Sequence, residues 1–249
     1  TCRASRYQME WSDQAIVLSA RKHGETSAIV TLMTSTYGVH AGLVRGGAGK
    51  RKRGDLQPGN RVQAHWRGRL AEHLGSYVCE VHKAHAALLM DDPDALACLS
   101  AALATCESAL PEREPHPSVY EGLGILLASL EGEDWPSVYV KWELGLLGEL
   151  GFGLDFSCCA STGVTEELIY VSPKSGRAVS AEAGDIYKAK MLKLPPFLLR
   201  AGVSGEPGEI VDGLVLTGFF LERHVYGHLR SKSLPAARHR LLERLRRNI

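Results

Sequence analysis

The stretch "NRVQAHWRG", Asn60 to Gly68, alternates Val62, Ala64 and Trp66 with Arg61, Gln63, His65 and Arg67. A period of two is the mark of a β-strand with one face in a core and the other in water. Trp66 shares the apolar register, so it is expected to pack inside. Similar runs lie on either side: "DQAIVLSARKH" (13–23), "SAIVTLMTS" (27–35), "VHAGLVR" (39–45) and "GSYVCEVHK" (75–83). They are rich in β-branched and aromatic residues. Turn residues separate them at Gly24-Glu25, at Tyr37-Gly38, in a Gly/Lys/Arg loop after Val44, and from Gly68 to Gly75. Five short strands within about 70 residues suit a small closed barrel. An SH3-like barrel is the alternative topology.

Beyond residue 83 the pattern turns helical. Asp92-Pro93 offers an N-cap carboxylate and a proline at the first helical position. Leu96, Leu99, Leu103, Cys106 and Leu110 come next at helical spacing, until Pro111, Pro115 and Pro117 interrupt. A second helix is expected over about 119–130. A third starts after Trp135-Pro136, with Tyr139, Trp142, Leu146 and Leu150 on one face, and ends at Gly151. Residues 152–200 show little periodicity and read as an irregular insert. A long helix is expected from Val211 to Arg230, and a last one after Pro235. In that last helix Ala237, Leu241 and Leu245 form one stripe, with Arg238, Arg240, Arg244, Arg246 and Arg247 around the rest. The fold class is therefore α+β. A five-stranded barrel over residues 9–83 precedes a helical domain over 84–249, which carries the insert.

Composition narrows the function. The chain has 249 residues, 45% of them hydrophobic, and six cysteines. No apolar run approaches the roughly 18–20 residues of a membrane helix, so no membrane partner is expected. Thr1–Gln8 lack pattern and read as an extension or a misplaced start, and no signal peptide is apparent. The cysteine count is too low for a disulfide framework and suggests a reducing cytoplasm. The net charge of +1 hides a strong segregation. Residues 1–83 hold 13 Lys/Arg against 6 Asp/Glu; 84–228 hold 9 against 21; 229–249 hold 7 against 1. Basic ends point to an anionic partner, or to docking against the acidic middle of the same chain.

The common catalytic and metal signatures are missing. "VRGGAGKRKRGDLQPG", Val44 to Gly59, resembles a phosphate loop only superficially. With Gly49-Lys50 as the Gly-Lys step, the first glycine would fall on Val44 and the magnesium hydroxyl on Arg51. The residues after Lys50 are more cations rather than a helix start. Cys158-Cys159 are adjacent, with no second thiol pair after them, so no zinc site is expected. His224 and His228 share a helical face but lack the glutamate of H-E-x-x-H, since Val225 stands there. Neither cofactor nor enzymatic activity is expected. What remains is a barrel set with Arg21, Lys22, Arg45, Lys50, Arg51, Lys52, Arg53, Arg61, Arg67 and Arg69, and few rings: Tyr37, Trp66 and Tyr77. A nucleic-acid surface of this kind holds phosphates more than bases. An RNA-binding module and a protein-interaction scaffold are the rival functions.

An ordered set of segments resembles the RecO family of bacterial recombination mediators. They are "GETSAIVTLMTSTYG" (24–38), the glycine-basic loop, "LQPGNRVQAHWRGR" (56–69), "YVKWELGLLGELGFGLDFSCCASTG" (139–163), "YVSPKSGRAVS" (170–180), "LPPFLL" (194–199) and "LPAAR" (234–238). The resemblance implies an N-terminal OB-fold and a helical C-terminal domain. It implies a non-enzymatic mediator that binds single- and double-stranded DNA and anneals complementary strands. It further implies cooperation with RecR in loading RecA onto DNA coated by single-strand binding protein, whose C-terminal tail docks on the helical domain. The cell compartment implied is the bacterial cytoplasm, at the nucleoid. By position, Arg21, Lys22 and the 46–53 loop are DNA candidates, joined by Arg238 and Arg240 of the terminal helix. Some members carry four zinc-binding cysteines near Cys159; this chain lacks the second pair and resembles a zinc-free variant.

Overall fold

The structure, a computed structural model, describes residues 9–228 and 233–249. Thr1–Gln8 and the expected end of a helix at Arg230 lie outside the described residues. The chain divides into two compact units, with the boundary between Glu121 and Gly122.

The first unit is built on a barrel of β1 (Met9–His23), β2 (Ser27–Thr34), β3 (Gly38–Val44), β4 (Arg61–Gly68) and β5 (Ser76–Lys83). The order is β1-β2-β3-β5-β4, closed where β4 returns to β1. All pairings are antiparallel except β3 with β5, which meet in parallel at Leu43↔Ser76 and Val44↔Tyr77. With the short helix α1 (Lys50–Asp55) between β3 and β4, this is the OB arrangement and not the SH3-like one. β1 serves two neighbours. Its first half pairs with β4, its second with β2, and a bulge between Val17 and Ser19 re-aims the strand.

The alternation in the sequence sets the interior. Ala15, Val17, Val30, Leu32, Val62, Ala64, Trp66 and Tyr77 form one buried cluster, closed by Leu56 after α1. Trp66 is only 1% exposed, and its indole N–H donates to the Leu74 carbonyl at 3.1 Å. The ring needs small neighbours. A Cβ on Gly75, which has φ +59°, would lie 2.4 Å from Trp66 Nε1. Ile16, Leu18 and Met33, on the other face of β1 and β2, are buried as well. The four-residue helix α2 (His85–Leu88) leads into α3 (Pro93–Ala109), which packs on β1. There the Ser19 hydroxyl donates to Glu107 at 2.5 Å. Asp92 caps α3 by accepting from Asp94 N–H and Ala95 N–H, both at 2.9 Å.

Helix α4 (Pro117–Ser129) crosses the boundary between the units. The second unit holds α5 (Trp135–Glu149), and its insert is more ordered than its sequence suggests. Strands β6 (Leu168–Val171), β7 (Ala178–Ser180) and β8 (Leu192–Lys193) form a small sheet in the order β7-β6-β8, with a one-turn helix α6 (Ala181–Gly184) after β7. Helices α7 (Pro207–Phe220) and α8 (Ala236–Arg246) complete the unit, with α7 packed on both α5 and α8. Helix α7 starts four residues before the expected Val211, because Glu206 and Glu209 make a reciprocal capping box around Pro207. After Phe220 the chain widens into a π-turn over Leu221–Val225 and tightens to a 3₁₀ turn over Tyr226–His228.

Candidate nucleic-acid interface

The Gly/Lys/Arg segment is not the bare turn its composition suggests. Gly46, at φ +71°, turns the chain out of β3, and Gly47 N–H and Gly49 N–H bond back to Val44 and Gly46. Ala48 N–H donates to Thr26 O at 2.9 Å, tying this loop to the β1–β2 turn. The chain then enters α1, so the four cations Lys50 to Arg53 are wound over one helical turn rather than strung along a loop. No residue of α1 is buried. The helix is held by its ends. Leu56 inserts into the barrel core, and the Asn60 amide donates to the Gly54 and Asp55 carbonyls at 3.1 Å. Lys52 and Arg53 stand in the last turn, where the helix dipole favours cations. Lys52 Nζ also donates to Arg45 O at 3.1 Å, which closes the loop on the helix.

Arg21 and Lys22, at the far end of β1, meet Arg53 around one cavity beside α1. Arg45, Lys50 and Arg51 are exposed on the loop and helix that lead to Arg53. Among the described residues of this unit, none of Arg21, Lys22, Arg45, Lys50, Arg51, Lys52 or Arg53 makes an ion pair with a carboxylate. Seven positive charges of this unit are therefore without a carboxylate partner inside it.

The remaining sequence candidates are placed elsewhere. Arg61 is half-buried and lines a separate cavity with His82. Arg67 is paired with Glu10 at 3.0 Å across β1 and β4. Arg69 is exposed in the β4–β5 loop, and Arg240 is exposed on α8. Arg238 is a correction. It is 2% exposed, and its guanidinium forks onto Glu143, Nε to Oε1 at 3.0 Å and Nη2 to Oε2 at 2.9 Å. Burial works to lower its pKa, but the Glu143 charge and hydrogen bonds override that and raise it. An internal guanidinium fully engaged in this way has nothing to offer a phosphate.

The rings also sort clearly. Trp66 and Tyr77 are core, while Tyr37 keeps 37% exposure. Tyr37 stacks on Trp11 with centroids 4.2 Å apart and planes at 16°. Trp11 escaped the sequence reading because it precedes the clear alternation of β1. In the insert, Cys159 accepts from Ser180 N–H at 3.3 Å and from Ser180 Oγ at 3.5 Å. Burial pushes its thiol up, and the hydrogen bonds from Ser180 and Thr162 outweigh that and bring it down to about 6. Among the described residues, no three His, Cys, Asp or Glu side chains gather in a way that could hold a metal ion. His224 is sandwiched near Phe152 and Phe220, with centroids at 5.0 and 6.0 Å. No helix among the described residues is long and apolar enough to cross a membrane.

An OB barrel with an unneutralised cationic end, continued by a helical unit with a small sheet inserted, is the class that fold and site define. Comparison with known proteins then fixes the family. Residues 9–83 match the family described as "Recombination protein O N terminal", and residues 90–233 match "Recombination protein O C terminal". The chain is 52% identical over 241 residues to the DNA repair protein RecO of Rhodospirillum centenum, covering 96% of each chain. It is 51% identical over 246 residues to that of Rhodospirillum rubrum, covering 96% of this chain and 97% of the relative. Against the RecO of Caulobacter vibrioides (strain ATCC 19089), the identity is 50% over 241 residues and 96% of each chain. The chain belongs to the RecO family of DNA repair and recombination proteins.

Proposed function

We propose that the chain is a non-enzymatic mediator of DNA repair and recombination. In this reading residues 9–83 bind single- and double-stranded DNA, and residues 84–249 form the partner-binding domain. It anneals complementary strands coated by single-strand binding protein, takes up that protein's C-terminal tail, and with RecR helps load RecA in the bacterial cytoplasm. One observation carries the DNA reading: the seven cations from Arg21 to Arg53 have no carboxylate partner among the described residues of their unit. A surface that had evolved to dock on acidic parts of its own unit would have paired them. Charges left free in this way attract a polyanion and release its counterions, largely without regard to base sequence. Arg69 and Arg240 extend the candidate set; Arg61 and Arg67 are secondary, since one is half-buried and the other paired.

The test is fluorescence anisotropy with a labelled single strand across a salt series. Replacing Lys50, Arg51 and Arg53 together with glutamine removes three phosphate contacts. The slope of log affinity on log salt should flatten by about 2, at about 0.7 per contact for single strands. An unchanged slope removes α1 from the interface. Competition between DNA and RNA of equal length separates this reading from an RNA-binding module.

A further inference from the structure

The cavity beside α1 has a feature that phosphate binding alone does not need. Its volume is about 420 Å³, toward the small end of the range of about 300–1,000 Å³ for ligand pockets. Arg21, Lys22 and Arg53 line it, but so do Ala20, Ala28, Leu56 and Pro58, with Gln57 beside them. None of its described lining residues is acidic. Small side chains create the space. Ala20 is exposed on β1, whereas Ala28 and Leu56 are buried and form the floor. The wall is at contact distance behind them, since a Cβ on Gly47 would come 2.9 Å from the Ala28 methyl. The walls are also fixed, by the Ala48–Thr26 backbone bond on one side and the Asn60 bonds to α1 on the other.

We infer that this cavity receives one unpaired nucleobase of a single strand, with the flanking phosphates on Arg21, Lys22 and Arg53. The chemistry matches part by part. A base has two apolar faces, which suit alanine, leucine and proline surfaces. Its polar edge suits the two-way hydrogen bonding of a glutamine amide. The phosphates that flank it need cations at the rim. In a duplex each base is stacked and paired, so only a single strand or a frayed end can offer one. The inference rests on the DNA reading proposed for this barrel and deepens it. Phosphate contacts at the rim serve both kinds of strand, and the cavity adds affinity for the single one.

The probe is a labelled oligothymidylate compared with an abasic phosphodiester chain of the same length and charge. The native protein should bind the thymidylate about tenfold more tightly at matched salt, the effect of taking roughly 55 Å² of apolar base surface out of water. Ala20→Leu narrows the cavity from its exposed wall, and Gln57→Leu removes the amide that would meet the base edge, neither adding a ring on which a base could stack. Each should bring thymidylate affinity down toward the abasic value, leaving abasic affinity and both salt slopes unchanged. Equal native affinity for the two chains overturns the inference. So does a preference that survives in both variants. Equal loss of both ligands also overturns it, because the variants would then be acting on phosphate contacts. Failure of the broader DNA reading looks different: neither chain would then bind with salt-dependent affinity.

Discussion

Arg238 tests whether burial, and not residue type, decides what a cation does here. Its side chain forks onto Glu143, and Nη2 also reaches Leu214 O at 2.5 Å and Thr217 Oγ1 at 3.2 Å. Thr217 Oγ1 in turn donates to Glu143 Oε2 at 2.5 Å. Both ions are sealed, at 2% and 0% side-chain exposure, so the network joins α5, α7 and α8 through one buried cluster. Removing one ion leaves the other buried and uncompensated, which costs about 3–5 kcal/mol. That is a large share of the roughly 5–15 kcal/mol that holds a typical domain folded. Arg238→Met and Glu143→Gln should each lower the opening free energy of α5 and α8 by about that amount, read by hydrogen exchange of their amides. Arg238→Met combined with Glu143→Leu removes both charges together. It should recover most of the loss, since apolar replacement of a whole buried pair is often neutral. Salt-dependent affinity for a single strand should be unchanged in Arg238→Met. If that variant costs less than about 1 kcal/mol and flattens the slope by about 0.7, Arg238 is a phosphate contact and the buried bridge is misread.

Burial lowers the His40 pKa from 6.5 to about 4, with the nearby Arg113 charge adding to it. The unfolded chain takes up a proton below about 6.5 and the folded barrel resists until about 4, so this stability is present above pH 6.5 and lost as pH falls. The loss should reach about 2 kcal/mol at pH 5 by urea denaturation, and His40→Asn should flatten the profile. Two glycines should respond in opposite directions in a thermal melt. A Cβ on Gly42 would lie 2.3 Å from Tyr77 Cδ2, so Gly42→Ala should destabilise by about 1–3 kcal/mol. Gly54, in α1, has nothing within 4 Å of such a Cβ, so Gly54→Ala should stabilise by about 0.5–1 kcal/mol. Asp92→Ala removes the two cap bonds of α3 and should cost about 1 kcal/mol in urea denaturation.

The barrel was legible because each strand is long enough to show alternation, and because Gly and turn clusters separate the strands cleanly. The expected runs over 13–23, 27–35, 39–45, 60–68 and 75–83 fall on β1 to β5 with small differences at the ends. Helix α1 was not legible. It buries none of its residues, so it has no apolar face to produce a period, and Gly54 argues against a helix on propensity. Anchors at its ends, Leu56 and Asn60, make it helical, and such tertiary ties leave no local mark. The sheet of the insert was missed for a related reason. Strands of four, three and two residues are too short to display a period of two. The start of α7 was readable, since Glu206-Pro207 with Glu209 two residues on spells a capping box; the apolar run from Val211 drew the boundary too late. Arg238 also left a trace. It lies three residues before Leu241 and seven before Leu245, the spacing of the buried face rather than the wet one.

Summed charge and usable charge separate in this chain. The terminal segment 229–249 looks more cationic for its length than residues 1–83, with seven cations against one acid. Yet Arg238 is internal, and Arg246 is paired with Glu243 at 3.2 Å. Paired or buried cations bring few counterion-releasing contacts to a polyanion, because a carboxylate already neutralises them. The barrel differs. Seven of its cations stand at the end of β1, after β3 and on a helix with no buried residue, places where no described carboxylate of the unit pairs with them. Affinity for DNA should therefore track the seven free charges around α1 rather than the 29 Lys and Arg of the whole chain. A salt slope near 5 for a single strand, at about 0.7 per contact, is the value this count supports. A slope of about 1 would mean that most of these cations never meet a phosphate.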